Sequence, residues 1–500
     1  MHEIITLQLG QRSNYLATHF WNIQESYFTY SEEEQSPVNH DIHFRPGVGI
    51  DGSETYTPRA VIYDLKGAFG SLRKHNALYE IQEESTLPRG LWDGNEVIQQ
   101  HEPIPQSEYQ KSLDRGITPA PLTPESVRYW SDYNRVFYHP KSIVQLNEYE
   151  LNSKLMPFED WQTGEELFRS LDTENDLLDR DIRSFAEECD QLRAFQVFTG
   201  ADDAWGGFSA RYIDKLRDEY GKKSVWVWAL EDGLKSEQKK QALKTVNIAR
   251  SMNDISPQVS AYIPISDPPR IIPGYLRGIL EHEWVSSALI SSAVETISLP
   301  TRLGRYEDFE SSLAHVDSTR NIFKLQSTIL PEKPANKDQA KETEEDEDET
   351  IQDDMFDIDF MADGTSNGKK PYTFSQIRVS RGWEDDSKAW DPTKDPSLSQ
   401  RRQQRRTQHL VHTYHTSLGL PVLDSFPGNL FPHTVQDSPT ASIRAALSST
   451  SQISERTKTL QRLVNRAVPI DERETLSNGL GEIGEAYEEG WQSDSDDSDD

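Results

Sequence analysis

Three glycine-punctuated stretches carry the residues best suited to chemistry: Gly10-Gln11-Arg12, Asp64-Leu65-Lys66-Gly67 and Gly200-Ala201-Asp202-Asp203-Ala204-Trp205-Gly206-Gly207. Closely spaced glycines let several backbone N–H groups approach an anion such as a phosphate, because no Cβ stands in the way. Carboxylates in the same place do the opposite. Two negative charges roughly 4 Å from a phosphate cost on the order of a few kcal/mol at intermediate dielectric unless a cation intervenes. A lysine or arginine can supply that cation in place of a metal ion.

Other chemistry-bearing groups have plainer readings. His409, His412 and His415 are spaced by three, with no nearby cysteine or acid to complete a metal site, and read as solvated or strand-end histidines. Arg401, Arg402, Arg405 and Arg406 form either a phosphate or localisation patch or a solvated counterpart to the acidic stretch before them. Ser493, Ser495 and Ser498 lie among aspartates, as in substrates of acidophilic kinases or in a solubilising tail. No catalytic residue and no metal ligand is expected.

The stretches are positioned by alternating strands and helices. Glu3 to Leu9 is β-prone, Gly10 ends it, and a helix with Leu16, Phe20, Trp21 and Ile23 follows. Arg59 to Leu65 is a second apolar strand, and residues 75–155 read as an irregular insertion with docked aromatics. A helical pattern from Thr163 to Cys189 leads into the strand Phe195-Gln196-Val197-Phe198; a helix with Tyr212, Ile213 and Leu216 then precedes Ser224 to Leu230, where Trp226 and Trp228 read as sheet packing. The alternation predicts a parallel α/β sheet whose ligands bind at the carboxyl ends of the strands, where the three stretches lie. Helices are predicted over Lys239 to Met252 and Glu283 to Ile297, with a strand at Tyr262 to Ile265 between them. The domains are therefore 1–235, then 236–330 with 372–470 as a second α+β domain, an acidic disordered loop over 331–371 and an acidic tail over 471–500.

Composition narrows the classes. With 52 basic and 84 acidic side chains the net charge is −32, which disfavours direct contact with nucleic acid and favours basic partners. One cysteine, Cys189, excludes an internal disulfide and fits a reducing compartment. The most apolar run, Val285 to Leu299, is interrupted by serines and Glu295, so no transmembrane segment is expected. The first twenty residues contain Glu3 and lack the Arg-rich, acid-poor character of a cleavable mitochondrial presequence.

The opening Met1-x-Glu3-Ile4-x-x-x-Gln8-x-Gly10-Gln11-x-x-Asn14, with Phe20-Trp21, resembles the first strand, loop and helix of tubulins. Tyr56-x-Pro58-Arg59-Ala60-x-x-x-Asp64-Leu65 is similar to the second tubulin strand. Glu188-Cys189-Asp190-x-Leu192-x-x-Phe195-Gln196 and Lys215-x-Arg217-x-Glu219-Tyr220 resemble the segments flanking the tubulin glycine loop, and Val285-Ser286 with Thr296 and Pro300 a later helix. The matches are collinear over about 300 residues. The 75–155 insertion, Trp130-Ser131-Asp132 and the acidic run after Pro331 resemble the Misato family within that superfamily.

The resemblance implies a tubulin-like fold: a parallel Rossmann-type sheet flanked by helices, a second α+β domain and acidic disordered segments. It implies a non-enzymatic role in partitioning of the mitochondrion and inheritance of mitochondrial DNA, at the cytosolic face of the organelle and in the cytoplasm. Mitochondrial surface proteins, the cytosolic chaperonin or tubulin are the implied partners. The tubulin phosphate loop GGGTGSG is here interrupted by Asp202, Asp203 and Trp205, its Gly-Gln-Cys turn is Gly10-Gln11-Arg12, and its magnesium-holding acid is Lys66. In place of the Asn-x-Asp pattern that supplies the hydrolytic acid stands Arg302-Leu303-Gly304-Arg305-Tyr306-Glu307-Asp308. No cofactor and no GTPase activity are expected. The alternatives are an adaptor in chaperonin and tubulin assembly, and a GTP-binding switch or polymerising GTPase. The latter's pocket would be built from Gly10, Gln11, Arg12, Asp64, Lys66, Asp202, Asp203, Gly206 and Gly207.

Overall fold

The structure, a computed structural model, describes residues 2–29, 36–49, 52–74, 76, 78, 104–234, 237–303, 319–330, 356–361, 371–382, 410–432 and 438–488. Residues 304–308, the acidic run 342–349, Arg401 to Arg406, His409 and the three serines of the tail lie outside them.

Five strands with near-continuous burial form most of the first sheet: β1 (Glu3–Leu9), β4 (Ala60–Lys66), β6 (Leu192–Gly200), β7 (Ser224–Asp232) and β8 (Ala261–Asp267). Strands buried on both faces read as unbroken apolar runs, as expected for a parallel sheet covered by helices. A sixth, β5 (Ile143–Glu150), completes the order β5-β4-β1-β6-β7-β8, all parallel. The small hairpin β2 (Phe44–Val48) and β3 (Glu54–Pro58) stands apart.

The two faces sort by alternation. Ile4, Ile62, Phe198, Trp226 and Trp228 point to one core with α1 (Gln11–Ser26) and α7 (Glu283–Ser298). Ile5, Leu7, Tyr63, Phe195 and Val227 point to the other, with α3 (Trp161–Asn175), α5 (Ala204–Glu219) and α6 (Gln238–Ile255). Two short helices, α2 (Glu108–Asp114) and α4 (Arg183–Glu187), precede β5 and β6. Trp226 and Trp228 are thus sheet packing, as their spacing predicts.

The second sheet runs β10 (Ile358–Asp359), β9 (Lys324–Leu330), β14 (Thr440–Thr450), β11 (Thr373–Arg381), β12 (Leu410–Thr416), with β13 (Leu420–Pro421) beside β14. Helix α7 lies between the two sheets, touching α1 on one side and β11 and β14 on the other. That position explains why it is buried all round. Among the described residues no helix is long and apolar enough to cross a membrane.

Four expected boundaries move. Strand β8 belongs to the first sheet, so that unit extends past residue 235 to Asp267. Residues 143–150, expected in an irregular insertion, form its edge strand. Of the supposed acidic loop, residues 356–361 and 371 are described, and in the first stretch Ile358, Phe360 and Met361 are buried. Residues 471–485 are not tail: α8 (Gln452–Ala467) is followed by α9 (Ile470–Glu485), which buries Leu476 and Leu480, four residues apart on one face, ahead of Tyr487. The acidic residues around them hide that face in a charge count.

Candidate functional site

Strand β1 has β4 on one side and β6 on the other, so the chain reverses direction across the sheet at the carboxyl ends of β1 and β6. Such a switch point is where open α/β sheets place ligands. A cavity of about 190 Å³ lies there, bordered by Gly10, Gln11, Arg12, Ser13, Gly200, Asp203, Trp205 and Glu283, and by the loop after β5 from Glu150 to Glu159. It is smaller than the roughly 300–1,000 Å³ of small-molecule sites.

Its floor is the start of α1. Gly10 has φ 86°, a left-handed conformation that favours glycine, and no side chain caps the helix. The indole of Trp205 lies on that glycine: a Cβ at Gly10 would come within 3.0 Å of Trp205 Nε1, Cδ1 and Cε2. Phe158 meets the same indole edge-on at 5.2 Å between ring centres. Trp205 is 5% exposed.

The two aspartates are consumed locally. Arg12 Nη2 donates to Asp202 Oδ1 at 2.5 Å and to Asp203 Oδ2 at 3.2 Å. Burial works against the charge of Arg12, but Asp202 and Asp203 outweigh it and push its pKa well up. Asp202 also accepts from the backbone N–H of Asp232 at 3.0 Å, and Asp203 caps α5 by accepting from the N–H of Trp205 at 2.9 Å. Burial pushes Asp203 up to about 6 against the pull of Arg12. The cation that sequence reasoning required exists as Arg12, and it is paired with both aspartates.

Gly206 and Gly207 face neighbouring helices and are absent from the cavity lining. A Cβ at Gly207 would come within 3.0 Å of the backbone oxygen and carbon of Trp161 in α3, and one at Gly206 would strike Ser251 Oγ in α6. They are glycine because α5 packs against two helices at close range.

Asp64 and Lys66 also stand apart from the cavity lining. Asp64 is buried and accepts from Asn14 Nδ2 at 2.7 Å, Trp130 Nε1 at 3.2 Å and the N–H of Leu65 at 2.9 Å. Burial raises it to about 7. Lys66 is exposed at the strand end. The structure thus brings Gly10, Gln11, Arg12 and Asp203 to the cavity, with Asp202 directly behind. It leaves Asp64, Lys66, Gly206 and Gly207 away from it.

Sequence reading missed Glu283 and the loop 150–159. Glu283 accepts from Gln11 Nε2 at 3.2 Å, and burial, with Asp267 and Asp232 nearby, raises it to about 7 against the pull of Arg12. It opens α7, 272 residues after Gln11, and no local pattern marks it. The loop was hidden because β5 before it buries only Ile143 and Leu146 among mostly polar residues. Arg302, in the stretch compared with a hydrolytic loop, is fully buried against Glu295 at 3.0 Å. His412 and His415 sit three apart on β12 and so face opposite sides of the sheet. Among the described residues no cluster of His, Cys, Asp and Glu is arranged to hold a metal.

Comparison with known proteins fits this architecture. A family model described as the Misato Segment II tubulin-like domain matches residues 2–115, and one described as a tubulin domain matches residues 119–303. "Protein dml1" of Aspergillus niger is 58% identical over the whole of both chains. "Protein dml-1" of Neurospora crassa is 44% identical, again end to end. "Protein dml1" of Schizosaccharomyces pombe is 33% identical over 63% of this chain and 70% of its own. End-to-end identity of this order, over a sheet that switches direction at a glycine-led helix, makes the chain a member of the Misato family of tubulin-like proteins, alongside the fungal proteins named dml1.

Proposed function

We propose that this chain is a non-enzymatic tubulin-like protein that works through protein contacts in partitioning the mitochondrion and its DNA, rather than as a GTPase. The observation that carries the non-enzymatic part is the indole of Trp205 on Gly10, with Arg12 already paired to Asp202 and Asp203. A triphosphate entering here would have to displace a buried tryptophan and break a paired charge cluster, each a cost of several kcal/mol. The organelle role rests on the family resemblance, and a net charge of −32 supports basic protein partners over nucleic acid. A mitochondrial surface protein, the chaperonin or tubulin would be the partner class.

Equilibrium dialysis of the full chain against labelled GTP, with and without magnesium, tests the first part. No saturable binding is expected below about 1 mM, a Kd that corresponds to only about 4 kcal/mol; micromolar binding overturns it. Depletion in a fungal host tests the second. Daughter cells are expected to lose mitochondrial DNA until the chain is re-expressed, and unchanged segregation would refute the organelle role.

A further inference from the structure

The cavity at the switch point has the wrong sign for an anion. Glu150, Glu159, Asp203 and Glu283 border it, with Asp202 directly behind and Asp232 and Asp267 near enough to bear on Glu283. The cations that answer them are Arg12 on Asp202 and Asp203, Lys240 on Glu159 at 3.1 Å, and Lys244 on Asp232. Glu150, Glu283 and Asp267 lie outside those ion pairs, so the cavity keeps a negative excess. Two features suit a positive guest. Ser13 is fully buried and borders the cavity, yet its Oγ has no hydrogen-bond partner among the described residues. The rings of Trp205 and Phe158 form an aromatic wall beside it, and aromatic faces attract ammonium groups. The uncapped start of α1 and Nη1 of Arg12, unpartnered among the described residues, pull the other way, but the acidic groups around the cavity outnumber them.

We infer that this cavity receives a lysine side chain presented by a basic segment of a partner protein. The ammonium would sit between Glu283, Ser13 Oγ and the face of Trp205, with Glu150 at the mouth. About 190 Å³ accommodates the compact head and slim stem of a lysine. Ionised Glu283, held up near 7 by burial, is the carboxylate that an added cation would relieve most. This inference rests on the reading that the cavity is no longer a nucleotide site.

The test uses the full chain with Leu155→Cys in a Cys189→Ser background, carrying an environment-sensitive fluorophore. Leu155 is 95% exposed on the loop that walls the cavity, so the dye reports on this site and not on acidic stretches elsewhere. Octalysine should give a saturable signal that fully acetylated octalysine does not. Glu283→Gln should raise the Kd about tenfold, and Glu150→Gln, an exposed and structurally safe change, about threefold. The inference is overturned if neither substitution moves the curve, or if inorganic phosphate gives the saturable signal and octalysine none. A saturable GTP signal would sink the proposed function as well; silence to GTP with an unmoved octalysine curve sinks this inference alone.

Discussion

The Trp205 indole covers Gly10 so closely that the glycine has no room for a Cβ, although the two residues are 195 positions apart. Gly10 follows the first strand at φ 86°, and Trp205 lies in the first turn of the helix after the sixth. Where the resemblance to tubulins implies a contact between backbone and phosphate, this chain has a contact between backbone and indole.

Replacing Gly10 by alanine should therefore cost on two counts, a left-handed backbone worth ~1–2 kcal/mol and a collision with a buried ring. Urea unfolding of Gly10→Ala is expected to show a loss of about 2–4 kcal/mol. Trp205→Ala alone should lose about 3–5 kcal/mol through the space it leaves. In the double variant the collision disappears, so its loss should fall short of the sum by at least about 1 kcal/mol. Strict additivity would mean that the indole does not rest on Gly10.

The same pair shows what a sequence can reveal. Short β-prone runs announce β1, β4, β6 and β7, and the glycine after β1 announces the helix start, because these are local patterns. Trp205 is visibly foreign to a glycine loop, but its seat on Gly10 is a tertiary fact. Gly206 and Gly207 mislead for a related reason: a glycine that admits a phosphate and one that admits a neighbouring helix look identical in sequence. Strand β5 escapes because only three of its eight residues, Ile143, Val144 and Leu146, are aliphatic. Glu283 escapes because nothing near it in the chain signals its carboxylate neighbours, which come from β7 and β8.

Glu295 of α7 ties the end of α1 and the turn after α7 to β11 of the second sheet. It pairs with Arg302 at 3.0 Å and with Arg381 of β11, and it accepts from Tyr27 Oη, just past α1, at 3.0 Å, all of them buried. Glu295→Ala would leave two buried guanidinium groups without their carboxylate, a loss expected to reach about 3–5 kcal/mol. Glu295→Gln keeps the shape and should lose nearly as much, because the missing charge is the main fault. A melting temperature within a degree of wild type for either variant would contradict this assignment.

Asp64 makes stability depend on pH in a stated direction. Its folded pKa of about 7 lies above the ordinary 3.8, because burial outweighs the hydrogen bonds from Asn14, Leu65 and Trp130. The folded state thus holds the proton more tightly, and this contribution is complete below about pH 4 and lost as the pH rises through 7. His19 opposes it: burial lowers its pKa to about 3, so its contribution is present above pH 6.5 and lost as the pH falls. The total curve mixes both, but the difference between Asp64→Asn and wild type does not. The substituted amide cannot ionise, so from pH 5 to pH 8 the variant should gain about 2 kcal/mol relative to wild type, whatever its absolute stability. A difference that stays flat across that range would show that Asp64 is ionised throughout.

Helices α3 and α5 approach through glycine on both sides. A Cβ at Gly164 would come within 3.0 Å of the backbone oxygen and carbon of Ala204, and one at Gly207 within 3.0 Å of those of Trp161. Backbone cannot swing aside as a side chain can, so Gly164→Ala and Gly207→Ala must push the helices apart and open the core around Phe168 and Phe208. Each is expected to cost at least about 3 kcal/mol, and amide exchange should quicken in both helices. Gly67→Ala is the control, since its φ of 85° carries strain but nothing lies within 4 Å of the added carbon; it should lose only ~1 kcal/mol. A phosphate-binding role for Gly207 predicts the reverse ranking, with Gly207→Ala costing less than Gly67→Ala in the absence of nucleotide, so one set of unfolding curves decides whether that glycine serves a ligand or a neighbouring helix.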